Sequence, residues 1–149
     1  GRFVRGRIFL LHERYPEALA DLREAIERGY STAASHANRA AALTELGRFE
    51  TAARDIERAL ELQPDNYLAL RCRMLIRLRT GQIEGGLEDL RTLVQQTPGD
   101  WALHREIGRI LESLHKPEDA LVSFRRAREL APPAEKAEIE KKIRELSGR

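Results

Sequence analysis

The chain has 149 residues, of which 42% are hydrophobic and 34% charged, and 26 basic against 24 acidic residues leave a formal charge of +2. That balance excludes a disordered polyelectrolyte and gives no continuous basic stripe for nucleic acid, because glutamates interleave with the arginines along most segments. No apolar run approaches the roughly 20 residues that cross a bilayer, no signal-peptide pattern is visible, and one cysteine, Cys72, cannot form an internal disulfide and leaves the redox compartment undecided.

Apolar spacing and breakers predict helices at 3–13, 16–28, 33–46, 49–62, 67–80, 83–96, 101–114, 117–130 and 134–147. Pro16 and Pro117 open second helices of pairs, where a missing amide costs nothing, and Pro64, Pro98 and Pro132 close them. Gly47 and Gly81 follow first helices, where the chain turns most easily through a left-handed residue. Gly85 and Gly86 each cost about 1 kcal/mol against alanine near a helix start, and only Gly86 has a packing slot to fill. The first helix is crowded with Phe3, Val4, Ile8, Phe9, Leu10 and Leu11, more apolar surface than one neighbour covers. This predicts missing upstream helices or self-association, in a chain that is a fragment of a longer protein. The last helix carries a single apolar stripe, Ile139, Ile143 and Leu146, as a solvating cap would.

These segments repeat. Ala18, Ala52, Gly86 and Ala120 recur every 34 residues, as do Leu22, Ile56, Leu90 and Phe124, and the prolines Pro64, Pro98 and Pro132. Such a period marks stacked helical pairs, each burying its apolar face only against neighbours. In residues 33–66, Ala40, Leu43, Gly47, Phe49, Ala52, Ile56, Ala59 and Pro64 resemble the tetratricopeptide repeat at its small, large, glycine, aromatic, small, large, small and proline slots. The resemblance extends to units 1–32, 67–100 and 101–134 with a capping helix over 135–149, so that residues 1–149 read as one array. It implies an all-α fold, an α-solenoid of antiparallel helix pairs wound as a right-handed superhelix, with the first helices of successive units lining a concave groove.

The resemblance further implies a noncatalytic scaffold that holds a protein or peptide segment, favoured to be acidic because arginine forks onto carboxylates. Candidate groove residues are Arg7, Asn38, Leu68, Arg71, Leu75, Leu78, Arg79, Arg105 and Arg109. Asn38 also matches the asparagine of the clamp with which some family members hold acidic chaperone tails, but Phe3, Leu68 and Cys72 stand where that clamp needs basic residues. A second expectation is an accessory repeat region of a larger bacterial enzyme or polysaccharide-export protein, which the NRAAALTELGRFETAARDIERALEL run resembles. No nucleic-acid partner, membrane insertion, cofactor or metal is expected. His36 and His104 occupy equivalent slots two units apart, too distant to share an ion bound at about 2 Å. TGQIEGG over residues 80–86 lacks the lysine of a phosphate loop and reads as a turn.

Overall fold

A computed structural model describes residues 1–148. Among them the chain is all-α, with α1 (Arg2–Leu11), α2 (Tyr15–Glu27), α3 (Ala33–Glu45), α4 (Phe49–Leu62), α5 (Tyr67–Arg79), α6 (Ile83–Gln96), α7 (Trp101–Ser113), α8 (Pro117–Leu130) and α9 (Pro133–Ser147). The helices form two compact units, one from Gly1 to Gln82 and one from Ile83 onward.

In the first unit, α1 pairs with α2 and α3 with α4, while α3 and α5 also pack together. Ala18, Ala52, Ala40 and Ala59 are fully buried, and Leu22 and Ile56 are buried with them. Small residues at these slots let the two helix backbones of a pair approach, and the large side chain fills the remaining space. Gly6 shows how close the approach is: a Cβ there would lie 2.8 Å from Leu22 Cγ. The second unit uses the same device with a different division of volume. Phe124 is the largest fully enclosed side chain, and Gly108 faces it, with a hypothetical Cβ 3.0 Å from Cε1, Cε2 and Cζ of the ring.

The turns inside three of the pairs are alike. Arg14, Arg48 and Lys116 donate their amides to Phe9, Leu43 and Leu111 carbonyls at 2.8, 2.8 and 2.9 Å, and Gln82 closes the end of α5 onto Arg77 in the same way at 2.7 Å. Each closure places the preceding residue in the left-handed region: Gly47 and Gly81 at φ 73° and 82°, but Glu13 and His115 at 57°. The two side-chain-bearing residues therefore hold a conformation that glycine adopts at less steric cost. The α2 end uses Gly29 at φ 94°, which lets the Tyr30 amide reach Ala25 carbonyl at 3.0 Å. A proline in place of Tyr30 would lack that donor, and the Tyr30 ring instead stacks at a tilt on Phe3, centroids 4.8 Å apart.

The first helices α3, α5 and α7 begin at side-chain caps, whereas α1 starts at Gly1 without one: Thr32 and Ser35 form a reciprocal capping box, Asn66 accepts from the Ala69 amide at 2.9 Å, and Asp100 from Ala102 at 3.0 Å. These caps recur at the same 34-residue step. On α1, Phe3, Phe9 and Leu10 pack against the core, whereas Val4, Ile8 and Leu11 remain 57%, 47% and 83% exposed. Ile139, Ile143 and Leu146 of α9 are all buried, as the stripe predicts.

Two stability outcomes follow from this packing. Gly108→Ala should destabilise the chain by about 1–3 kcal/mol, as overpacking does, and Phe124→Leu introduced beside it should recover part of the loss in denaturant melts. An increase in stability would show that the Phe124 ring yields freely. His115→Gly should raise stability by up to about 1 kcal/mol by relieving the left-handed residue, and a lower melting temperature would show that the histidine side chain does more than occupy the turn.

Candidate functional site

Two classes of arginine separate in the first unit. Arg5 grips Asp21 with two bonds, Nε to Oδ2 at 2.6 Å and Nη2 to Oδ1 at 2.7 Å, and Arg2 adds a third at 3.1 Å. In the next pair Arg39 holds Asp55 the same way, at 2.7 and 2.7 Å. Both carboxylates are 4% exposed, so each fork braces the first helix of a pair against the second. Arg73 and Asp89 continue the two ladders by sequence (39+34 and 55+34), and Ile107 and Ser123 end them. Part of the chain's arginine content serves this repeated brace.

His36 belongs to the same network. Its Nδ1 lies 2.9 Å from Asp55 Oδ1 and its Nε2 2.8 Å from Ser31 Oγ. The order serine, histidine, aspartate has the outline of a nucleophilic relay, but the Asp55 carboxylate is already neutralised by Arg39. Arg2, 34 residues before His36, performs the same task on Asp21. The ring is thus a brace in place of an arginine. Among the described residues no group of three histidine, cysteine or acidic side chains could hold a metal, and no helix is long and apolar enough to cross a membrane.

The second class of arginine is unbraced. Because each turn reverses the chain, α1, α3 and α5 run in one direction, and between them lies an open hollow of about 420 Å³. Arg7, Asn38, Leu68, Arg71 and Leu75 of the predicted groove set line it. Leu10, Leu11, Ala41, Thr44, Cys72, Glu13, Tyr15 and Glu45 complete the wall. Arg7 and Arg71 are exposed and form no ion pair among the described residues, although the Arg7 guanidinium lies 5.8 Å from the Phe3 ring centre. Asn38 donates Nδ2 to Ala34 carbonyl at 2.7 Å, which leaves its amide oxygen for a ligand. Leu78 and Arg79 lie outside the hollow; eight residues along a helix turn Arg79 about 80° from Arg71.

Cys72 is 3% exposed, and burial pushes its thiol up to about 11 against the opposing effects of the Thr44 hydrogen bond and Arg71. It stays a thiol at neutral pH and serves as wall, not nucleophile. Burial, Glu45 and Glu13 together raise the Tyr15 phenol. Glu13, Glu45 and Tyr15 escaped the sequence reading. Glu45 adjoins the groove-facing Thr44 at the end of α3, and that position was the available signal.

Arg105 and Arg109 sit in the second unit, on a separate crevice of about 520 Å³ between α7 and α9, over Phe124 and Ile139. Arg105 lies on Trp101, 4.8 Å from the ring centre, with its Nε buried and unbonded. Arg109 approaches Glu106 at 3.8 Å, and Lys142 bridges to Glu112 at 3.2 Å. The crevice is therefore lined by charges of both signs, among which Arg109, Glu112 and Lys142 are paired.

Antiparallel pairs with small-residue contacts at a 34-residue step, and a hollow on their first helices, define a helical-repeat protein. Models of the tetratricopeptide repeat match residues 33–66 and 75–135, and the chain belongs to that family. Among curated relatives, Hsp70-Hsp90 organizing protein 1 of Glycine max is 28% identical over 112 residues, and the Triticum aestivum Hsp70-Hsp90 organizing protein 27%. These alignments cover 75% of this chain but 20% and 19% of the relatives, so the chain spans about one fifth of their length. In fold it is similar to MamA AMB-1, with a TM-score of 0.81 at 18% identity over 99% of this chain and 81% of that one. MamA 41-end from Desulfovibrio magneticus RS-1 gives 0.80 at 19% over 99% and 82%.

Removing a brace should be costly. Asp55→Asn should lose about 3 kcal/mol, the scale for orphaning one partner of a buried ion pair, and more than Asp21→Asn, whose arginines are 42% and 54% exposed against 23% for Arg39. The Arg5 hydrogen bond, with Arg2, holds the Asp21 carboxyl below its ordinary value against the effect of burial. A depressed carboxylate stabilises the fold at neutral pH and loses that contribution as pH falls below the usual carboxylate range. The melting-temperature gap between the parent and Asp21→Asn should accordingly close on acidification; a gap independent of pH would exclude the charge as its source.

Proposed function

We propose that this chain is a noncatalytic interaction module that holds a segment of a partner protein in the hollow of α1, α3 and α5. The observation that carries the reading is the pair Arg7 and Arg71, exposed on the wall of a hollow of mixed polar and apolar lining and left without ion pairs among the described residues. A carboxylate of the segment supplies what the braces supply to Arg5 and Arg39, with bidentate geometry available to each guanidinium. Family membership supports the scaffold role, since the relatives named above are organizing proteins whose names refer to chaperones. The chaperone-tail clamp itself is not the favoured ligand mode: Leu68 and Cys72 offer apolar surface where that clamp needs cations.

Arg105 and Arg109, on their own crevice, are a secondary contact in this proposal, and the exposed Val4 and Ile8 support self-association through α1. The same hollow would serve an accessory region of a larger enzyme or exporter, and the full reading frame distinguishes that arrangement.

Affinity capture from the native host tests the assignment. Arg71→Ala should reduce the recovered partner several-fold with an unchanged melting curve, and Arg105→Ala should reduce it less. Equal recovery by the parent and Arg71→Ala would remove Arg71 from the contact surface.

A further inference from the structure

The charges around the hollow are ordered along the helix axes. In the frame of the second repeat, Arg71 maps to position 37 (71−34), Arg7 to 41 (7+34), Glu45 to itself and Glu13 to 47 (13+34). Both arginines precede both glutamates, separated by about 6 to 15 Å at 1.5 Å per residue. Like Arg7 and Arg71, Glu13 and Glu45 are exposed and form no ion pair among the described residues.

The backbone reinforces this order. The parallel first helices direct the positive amino-terminal ends of α3 and α5 toward the arginine end, and the negative carboxy-terminal ends of α1 and α3 toward the glutamate end. Surface helices ordinarily place charges so as to oppose their dipoles, as α5 does with Arg77 and Arg79 in its last turn, yet neither α1 nor α3 has an acidic residue in its first turn or a basic one in its last. Glu45 closes α3 and Glu13 lies just past α1, so both add to the negative ends. In the same frame Ala41 and Leu75 fall at 41, level with Arg7, and Leu10 at 44, so all three lie between Arg71 and Glu45 on the wall of the hollow.

We propose that the hollow selects a bipolar partner segment: a carboxylate-bearing residue against Arg7 and Arg71, an apolar side chain against Leu10, Ala41 and Leu75, and a lysine or arginine against Glu13 and Glu45. The proposal rests on the segment-binding reading above and replaces a uniformly acidic ligand with one acidic at a single end. An all-acidic segment would set a carboxylate beside Glu13 and Glu45, and an all-basic one would meet the arginines.

Selection of a phage-displayed random peptide library on the immobilised whole chain tests this. Enriched peptides should carry an acidic and a basic residue on either side of apolar ones. The double variant Glu13→Lys, Glu45→Lys, whose exposed positions at helix carboxy ends should leave the circular dichroism melt no lower than the parent's, should select peptides acidic at both ends. It should also bind the parent's peptides several-fold more weakly, the scale of exposed charge pairs. Enrichment of all-acidic or uncharged peptides by the parent, or identical selections by parent and variant, would overturn the bipolar assignment while segment binding stands. The absence of any enrichment over bare support would overturn both.

Discussion

Each helical pair is governed by the distance to which its two backbones can close, and that distance is set by complementary volumes. Leu22 faces Gly6, Phe124 faces Gly108, and Ile56 lies in one cluster with Ala40. Where the second helix contributes the larger side chain, the first contributes the smaller, so the pair stays close-packed while the residues exchange bulk. The alanines at 18, 52 and 120 fix the neighbouring contact without alternatives, because each is completely enclosed. Regular spacing of the pairs is what repeats the same outward slots on α1, α3 and α5.

Volume complementarity alone would let the helices of a pair rotate or slide. The forks from Arg5 to Asp21 and from Arg39 to Asp55 supply the direction, because a bidentate guanidinium accepts a carboxylate in few geometries. A buried carboxylate without its partner is expensive, so a slipped pairing is penalised more strongly than a merely hydrophobic contact would be. Ser31, His36 and Asp55 show the same network accommodating a different residue: an imidazole replaces a guanidinium, and a hydroxyl satisfies the nitrogen that would otherwise be bare.

Much of this was legible in the sequence, for a definite physical reason. Helix limits follow local rules of capping and turning, so the predicted boundaries agree with the observed ones to within about two residues. The small and large ladders are also local, because one residue type satisfies one slot. The braces were less visible, since an arginine bonded across a pair and an arginine facing solvent look alike in composition. Only the coincidence of Arg5 and Arg39 with Asp21 and Asp55, each 16 residues apart, distinguishes them. Glu13 and Glu45 were harder still. They occupy non-equivalent slots of successive repeats, and a search by period does not align residues that a hollow brings together from different positions. Leu78 and Arg79 illustrate the converse: both belong to the groove-bearing α5 and fall outside the hollow, Arg79 because it is turned about 80° from Arg71 and Leu78 because it lies about two turns further along the axis.

Residues kept for the fold differ from residues whose placement costs it something. Arg5, Arg39, Asp21 and Asp55 satisfy one another, and their positions are explained by the folded chain alone. Glu13 combines a left-handed backbone with a negative charge at the negative end of α1, two unfavourable terms that glycine would avoid. Glu45 repeats the second of these at the end of α3. Glu13 and Glu45 have no ion pair among the described residues, so packing alone does not explain their placement beside the hollow. The charges that stability does not require are the ones that give the hollow its polarity.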